Sequence, residues 1–377
     1  MHPVSSRPTS RPTSLPTGRA LIVDLPYGFA DDPPERLGLA ALTARHLMHP
    51  QADGPGALAR ERAWHTRHQL LADCSSFAFW SGLDDLAEVV QRFNRTASPD
   101  TARLQALVAA QLRLADACLG DPYTQVMDLL EATAWGPDRP SLGTAQTLAA
   151  ITPQDLREAL EASCGDGVRT YGQDDEAAPV RVPQPRAHWR GGRQVREQPG
   201  GSAVRVAVAL PVTLPAPGAA ELAVELLGSH GIGGRLAPAL RGDRPLAYGL
   251  GALQLSRPGA GALGAHAQVA PEHAHEALRI LLDTLRTVLR EPVPEPERQA
   301  AAARLRTALL LQADQPFGAV DELRRRSRGE TELAALAAAV RERADDGVLP
   351  VEVTSGQPAL VAVGAVSADL LEGWTAA

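Results

Sequence analysis

The chain has 377 residues, 44% of them hydrophobic, which is enough for two or three domain-sized units with globular cores. A formal net charge of -7 disfavours a general affinity for nucleic acid or for anionic membranes. The three cysteines, Cys74, Cys118 and Cys164, have no C-x-x-C spacing. They therefore indicate neither a disulfide framework nor a thiolate zinc site.

The first residues are rich in Ser, Thr, Pro and Arg, and they lack the apolar segment of a secretory signal. We expect residues 1–17 to form a flexible arm and the protein to be cytoplasmic. No later run is long and apolar enough to suggest a membrane span.

Hydrophobic periodicity predicts strands and helices in alternation through the first half of the chain. A short apolar run at 21–26 and an aromatic run at 75–80 predict strands. Apolar residues at helical spacing predict helices at 38–49, 83–93, 101–119 and 123–132, and Thr152 is a suitable N-cap for another helix.

Residues 173–201 contain acidic residues followed by Pro, Arg and Gly, without periodicity, which predicts a linker. The pattern then restarts, with strands predicted at 204–210, 247–255, 261–269 and 360–364, and helices at 219–227, 271–289, 296–311 and 332–343. We therefore predict an α+β fold of two similar halves, residues 18–172 and 202–377, each an antiparallel sheet packed with helices.

The segment from Gly233 to Tyr248 reads GGRLxxxLRxxRxLAY. It resembles the C-terminal half-domain of the insulinase/pitrilysin family of zinc peptidases, and in particular the mitochondrial-processing-peptidase-like members. The resemblance implies a clamshell subunit made of two α+β halves, the first of which should carry an inverted zinc motif, H-x-x-E-H. That motif does not occur in the sequence.

The tripeptide Gly38-Leu39-Ala40 resembles the one that precedes the zinc helix of the family. Counted without gaps from it, the first His of the motif falls on Ala41, the Glu on Ala44 and the second His on Arg45. A shift of one residue aligns His46 with a His but recovers neither the base nor the other ligand.

The third zinc ligand should precede Asp121-Pro122-Tyr123, and counting back places it at Arg113, a cation that repels a metal ion, with Gln111 and Asp116 nearby. The remaining metal alternative is a pair, His46 and His49, three residues apart and without an acidic third ligand in register. The pairs His65/His68 and His273/His275 are likewise interpreted as packed or surface histidines and not as metal ligands. We expect no metal in this chain.

The resemblance implies a substrate-binding role for Arg244 and Tyr248, because in two-subunit bacterial members an Arg/Tyr pair reaches substrate in the partner's zinc site. The competing interpretation is a local salt bridge of Arg244 to Asp243 or Glu221, with Tyr248 in the core. Gly231, Gly233 and Gly234 are interpreted as a flexible loop. A phosphate-binding loop would need a Lys, and the chain has none.

The resemblance therefore implies a non-catalytic, substrate-binding subunit of a heterodimeric zinc peptidase, inactive alone, with zinc in a sister subunit that carries H-x-x-E-H. The substrate would be a peptide added as a strand, with residues 75–80 as the candidate edge. Removal of a leader from a ribosomally made, modified peptide is one such task. The alternative is a structural scaffold of the same fold. A third possibility is a hydrolase that uses another nucleophile. The sequence disfavours it, because it contains neither a G-x-S-x-G motif nor a recognisable cysteine motif.

Overall fold

A computed structural model describes most of the chain, and the statements below concern the residues that it describes. These are residues 19–50, 53–71, 74–81, 87–97, 99–136, 140–164, 168–172, 187–198, 200–213, 217–228, 234–242, 245–257, 260–315, 317–327, 330–346, 349, 351–372 and 374. The predicted arm at 1–17, most of the predicted linker, and Gly231, Gly233 and Arg244 lie outside them.

The first half contains a four-stranded antiparallel sheet with strand order β2-β3-β1-β4. In chain order its elements are β1 (Arg19–Leu25), α1 (Leu39–Leu47), α2 (Pro55–Glu61), β2 (His65–Leu70), β3 (Ser75–Ser81), α3 (Ala87–Arg95), α4 (Thr101–Gly120), α5 (Pro122–Trp135), α6 (Ala145–Ala149), α7 (Pro153–Ser163) and β4 (Arg169–Gly172).

The second half contains a larger sheet of order β5-β10-β6-β8-β7, in which β9 also pairs with β6. Among its described strands, only the β5–β10 pair is parallel. Its elements are β5 (Gly192–Glu197), β6 (Val204–Thr213), α8 (Ala219–Leu227), α9 (Leu236–Arg241), β7 (Ala247–Arg257), β8 (Ala260–Val269), α10 (Ala274–Arg290), α11 (Glu295–Ala313), α12 (Gly318–Ser327), α13 (Leu333–Asp345), β9 (Glu352–Val353) and β10 (Ala359–Gly364).

The predicted α+β class is confirmed, whereas the predicted linker is wrong in its last third. Gly192–Glu197 form β5, which adds to β10 by a parallel ladder at the edge of the second sheet. This strand was not predicted from the sequence, because its side chains are mostly polar and exposed. An edge strand of this kind carries no alternation of apolar residues that a sequence pattern could reveal.

Both sheets are covered on two faces, and each receives one helix from the other half of the chain. Helix α5 packs Val126 and Leu130 against Ala207 and Val361 of the second sheet. In return, α12 packs its apolar side chains against the first sheet, in the cluster Ala20, Ile22, Ala78, Val320 and Leu323. The halves are therefore joined by reciprocal apolar packing as well as by the chain.

Helix α1 is fixed at its start by a buried carboxylate. Asp32, 1% exposed, accepts hydrogen bonds of 2.8 Å from the backbone N–H groups of Gly38 and Ala40. Desolvation raises the pKa of Asp32 to about 6, although those N–H groups act in the opposite direction. Gly38 has φ +94°, and a Cβ there would lie 2.7 Å from the carbonyl oxygen of Leu142, so glycine is required where the family tripeptide begins.

The predicted Thr152 cap is confirmed: its hydroxyl and the carboxylate of Asp155 form a reciprocal capping box at the start of α7. Among the described residues, no helix combines the length and the apolar character that crossing a membrane would require.

Candidate functional site

An open cavity of about 420 Å³ lies where helix α1, helix α4 and edge strand β2 meet. We call it the α1 cavity, and it is lined by Ala41, Arg45, Met48, His49, Pro50, His68, Leu70, Gln111, Leu114, Ser141 and Leu142. Two of the positions predicted to have lost zinc ligands, Ala41 and Arg45, are among them. The cavity therefore occupies the place that the sequence assigns to the lost metal site.

The geometry favours the ungapped alignment of the zinc motif. Ala41 and Arg45 are one helical turn apart and both line the cavity, as two metal-binding histidines would need to. In the shifted alignment the ligands would fall on Leu42 and His46. Leu42 is instead buried in a separate core cluster, and His46, 3% exposed, donates a 2.8 Å hydrogen bond from Nε2 to the carbonyl oxygen of Ala97.

The side chain of α4 that meets Arg45 is Gln111, which is fully buried. The Nε of Arg45 donates a 3.1 Å hydrogen bond to Oε1 of Gln111, and Nε2 of Gln111 donates one of 3.1 Å to the carbonyl oxygen of Leu142. The predicted position, Arg113, is exposed and does not line the cavity. Counting back from Asp121 misses Gln111 by two residues, which on a helix is a different face.

The residues of the α1 cavity do not fit a zinc ion. Ala41 and Ala44 carry no donor atom, and a guanidinium stands where the second histidine would bind. Over the part of the chain that the structure describes, no group of three or more His, Cys, Asp or Glu side chains is close enough to share a metal ion. No reaction step through zinc can be derived for this chain.

The histidines of the cavity sit in a cationic environment. Desolvation lowers the pKa of His68, and the nearby Arg45 guanidinium lowers it further. Desolvation and the charge of Arg103 similarly lower the pKa of His49. His65 and His68, whose spacing of three would put both on one face of a helix, lie on strand β2, where that separation places them on opposite faces.

Strand β3 is not the free edge that we expected for a peptide. It pairs with β1 on one side and with β2 on the other. The edge of the first sheet next to the α1 cavity is β2, which contributes His68 and Leu70 to the cavity lining. Strand β2 was not predicted from the sequence, because its residues are mostly polar and exposed and show no apolar alternation.

In the second half, Gly234 has a packing role and not only the loop role predicted for it. A Cβ at Gly234 would lie 2.4 Å from both the Cα and the N of Gly228, so the two backbone segments touch. The next residue of the signature, Arg235, forms a two-pronged ion pair with Glu297 on α11, with N–O distances of 2.7 and 2.9 Å. These contacts attach the start of α9 to the core.

Tyr248 lies at a bulge in β7 and its side chain is 73% exposed, so the alternative of a core tyrosine is wrong. The register with β8 shifts between Ala247 and Gly249, which leaves Tyr248 as the extra residue. Arg241 holds the bulge: its Nε donates to the carbonyl oxygen of Ala247 at 2.9 Å, and its Nη2 to that of Tyr248. The signature thus fixes a phenol that points into solvent.

With this geometry in place, residues 148–305 match the family model described as the peptidase M16 inactive domain; M16 is the insulinase/pitrilysin family. Over these residues the chain carries an insulinase-like inactive domain, and its sequence lacks the zinc motif. The matched residues run from α6 to the middle of α11 and include the whole segment from Gly233 to Tyr248. No curated protein matches the chain.

Solved structures share the insulinase-like fold over nearly the whole chain. A peptidase M16 inactive domain from Pseudomonas fluorescens has a TM-score of 0.65 and 16% identity, covering 93% of this chain and 94% of that one. A chain of complex III2 from Candida albicans with Inz-5 bound has 0.66 and 16%, covering 94% and 92%. A protease from Helicobacter pylori has 0.67 and 11%, covering 92% and 94%. At these identities the likeness concerns the fold.

Proposed function

We propose that this chain is the non-catalytic, substrate-binding subunit of a heterodimeric zinc metallopeptidase. One observation carries the proposal: Tyr248 is held exposed on a braced bulge, while Ala41, Ala44 and Arg45 occupy the positions of the zinc motif. At 73% exposure, the phenol of Tyr248 is accessible to a substrate held by another subunit.

Tyr248 and Arg244 have the chemistry that this role requires. A phenol and a guanidinium donate hydrogen bonds to peptide carbonyls and to the oxygen that gains negative charge during hydrolysis. The proposal gives these donors to this chain and gives zinc, the activated water and the general base to a sister subunit with H-x-x-E-H. Such a pair would act in the cytoplasm on peptides, with removal of a leader from a ribosomally made, modified peptide as the proposed task.

The test is co-expression of this chain with a candidate sister that carries H-x-x-E-H, followed by a peptide-cleavage assay. We expect chelator-sensitive cleavage by the pair and none by this chain alone. Arg244→Ala and Tyr248→Phe should each lower kcat/KM by about a hundredfold, which is the scale measured when one transition-state hydrogen-bond donor is removed. Size-exclusion chromatography should show an unchanged complex.

Two matched controls remove the same groups elsewhere. Tyr123→Phe deletes a partly exposed phenol at the start of α5, and Arg290→Ala deletes an exposed guanidinium at the end of α10. Both should leave cleavage unchanged. If Arg244→Ala and Tyr248→Phe also left cleavage unchanged in an intact complex, the chain would be a scaffold and the proposal would fail.

A further inference from the structure

Among the described residues that line the α1 cavity, Arg45 carries positive charge and none is acidic. The polar lining of the cavity consists of Arg45, His49, His68, Gln111 and Ser141. Desolvation lowers the pKa of Arg45, and the nearby charge of Arg113 lowers it further, as expected for a guanidinium that is partly buried beside another cation. A cation in such a place is stabilised by an anionic partner.

Arg45 has unused hydrogen-bonding capacity that faces this cavity. Its Nε is engaged with Gln111, and no ion pair with an Asp or Glu is present for it within the described ranges. Gln111 is itself fixed by its bond to Leu142. The guanidinium is therefore oriented by a buried amide, and its terminal N–H groups are available for a two-pronged contact with a carboxylate.

The remaining lining suits an organic ligand better than a small inorganic anion. Met48, Leu70, Leu114 and Leu142 supply apolar surface around the cations. Leu114 is 40% exposed, so its side chain is accessible to a ligand. The cavity also borders β2, the outer strand of the described sheet, whose backbone can accept an extended peptide.

We propose that the α1 cavity binds the carboxylate of a peptide, with the Arg45 guanidinium as the cation that pairs with it and the apolar side chains of the cavity around the adjacent peptide residue. The site that holds zinc in a peptidase of this family would here hold an anion, because a guanidinium has replaced a metal ligand. The inference goes beyond the proposed function, since it needs neither a sister subunit nor proteolysis.

Three acetylated hexapeptides of alternating valine and threonine, ending in leucine, test the inference on the full chain by titration calorimetry. The first has a free C-terminal carboxylate, the second a C-terminal amide, and the third the amide with an internal glutamate. We expect the first to bind at least about tenfold more tightly than the second, as a charge-assisted contact implies. The third peptide distinguishes a side-chain carboxylate from a C-terminal one. If it binds as tightly as the free acid, the site accepts a carboxylate of either kind; if it binds as weakly as the plain amide, the site requires the C-terminal carboxylate.

Arg45→Met should abolish the preference for the carboxylate, whereas Arg290→Met removes the same charge from α10 and should preserve it. In the wild-type chain, the imidazole NMR signals of His68 should shift with the acid peptide and not with the amide. This readout needs no variant to fold. Equal affinity for acid and amide, a preference that survives Arg45→Met, or absence of any binding would each overturn the inference. None of these outcomes affects the cleavage assay with Arg244 and Tyr248.

Discussion

Individual residues of the insulinase-like signature divide into those that build the fold and those that face solvent. Gly234, Arg235 and Arg241 are structural: they provide a close backbone approach, an ion pair to α11 and hydrogen bonds to the β7 bulge. The side chains of Arg235 and Arg241 form hydrogen bonds within the protein. Tyr248 differs from them, because its side chain is largely exposed and no hydrogen bond to another described residue is seen for its phenol. Motif membership therefore does not by itself identify a substrate contact.

Gly234→Ala should destabilise the protein because its Cβ would lie 2.4 Å from backbone atoms of Gly228, which cannot rotate away. We expect a loss of about 1–3 kcal/mol in the free energy of unfolding, the range for forced overpacking. The control is Gly120→Ala at the end of α4, where a Cβ would meet nothing within 4 Å. It should be neutral or stabilising by up to about 1 kcal/mol. Urea denaturation compares them, and equal stability of the two variants would contradict the packing role.

At the scale of elements, α5 is attached to the second sheet by an aromatic contact as well as by its apolar face. Tyr123 at the start of α5 meets the ring of His266 on β8 edge to face, with centroids 5.0 Å apart. Gly251 on β7 leaves room for that ring, since a Cβ there would lie 2.7 Å from Nε2 of His266. Desolvation and the charge of Arg205 lower the pKa of His266 to about 4.

His266 should make the protein less stable in mild acid. Between pH 6.5 and about 4 the unfolded chain protonates this histidine while the folded chain does not, so the free energy of unfolding falls as the pH falls. The loss for this group approaches about 3 kcal/mol at pH 4. Denaturation of His266→Gln at several pH values should show a weaker decline than the wild type. His188→Gln, which changes an exposed histidine, should follow the wild type; a His266→Gln curve parallel to the wild-type curve would refute the buried neutral histidine.

At the scale of the whole molecule, each half packs one of its helices against the sheet of the other half. Without α5, the face of the second sheet that carries Ala207, Ala209 and Val361 would lose its apolar cover. Without α12, the face of the first sheet around Ile22 and Ala78 would lose Val320 and Leu323. The duplicated arrangement of the sequence suggests two separable units, but the packing makes each half depend on the other.

Residues 187–377 expressed alone should therefore aggregate or unfold without a cooperative transition, because the uncovered sheet face is apolar. Residues 121–377, which retain α5, should be more soluble and bind less of a dye that reports exposed apolar surface. Co-expression of 187–377 with 1–186 should restore a soluble complex. A monomeric 187–377 fragment that unfolds cooperatively with the stability of the full chain would show that the halves are independent.

Elements with a strong apolar period were predictable from the sequence, and polar edge elements were not. Helix α8 (Ala219–Leu227) and strand β6, whose apolar run is buried on both faces, follow directly from the order of their residues. Strands β2 and β5 escaped detection because edge strands carry exposed polar side chains. They became strands through pairing with neighbours distant in sequence, which no local pattern encodes.

For the site, the sequence by itself determined what was missing: Ala41, Ala44 and Arg45 cannot bind a metal in any fold, since ligand chemistry belongs to the side chain. It also determined the α+β class, through hydrophobic periods of two and of 3.6 residues. Only the tertiary structure decided that Gln111 and not Arg113 faces Arg45, that β2 and not β3 is the sheet edge beside the cavity, and that Tyr248 is exposed. These facts depend on helix rotation, strand neighbours and a bulge, which are set by packing between segments far apart in the chain.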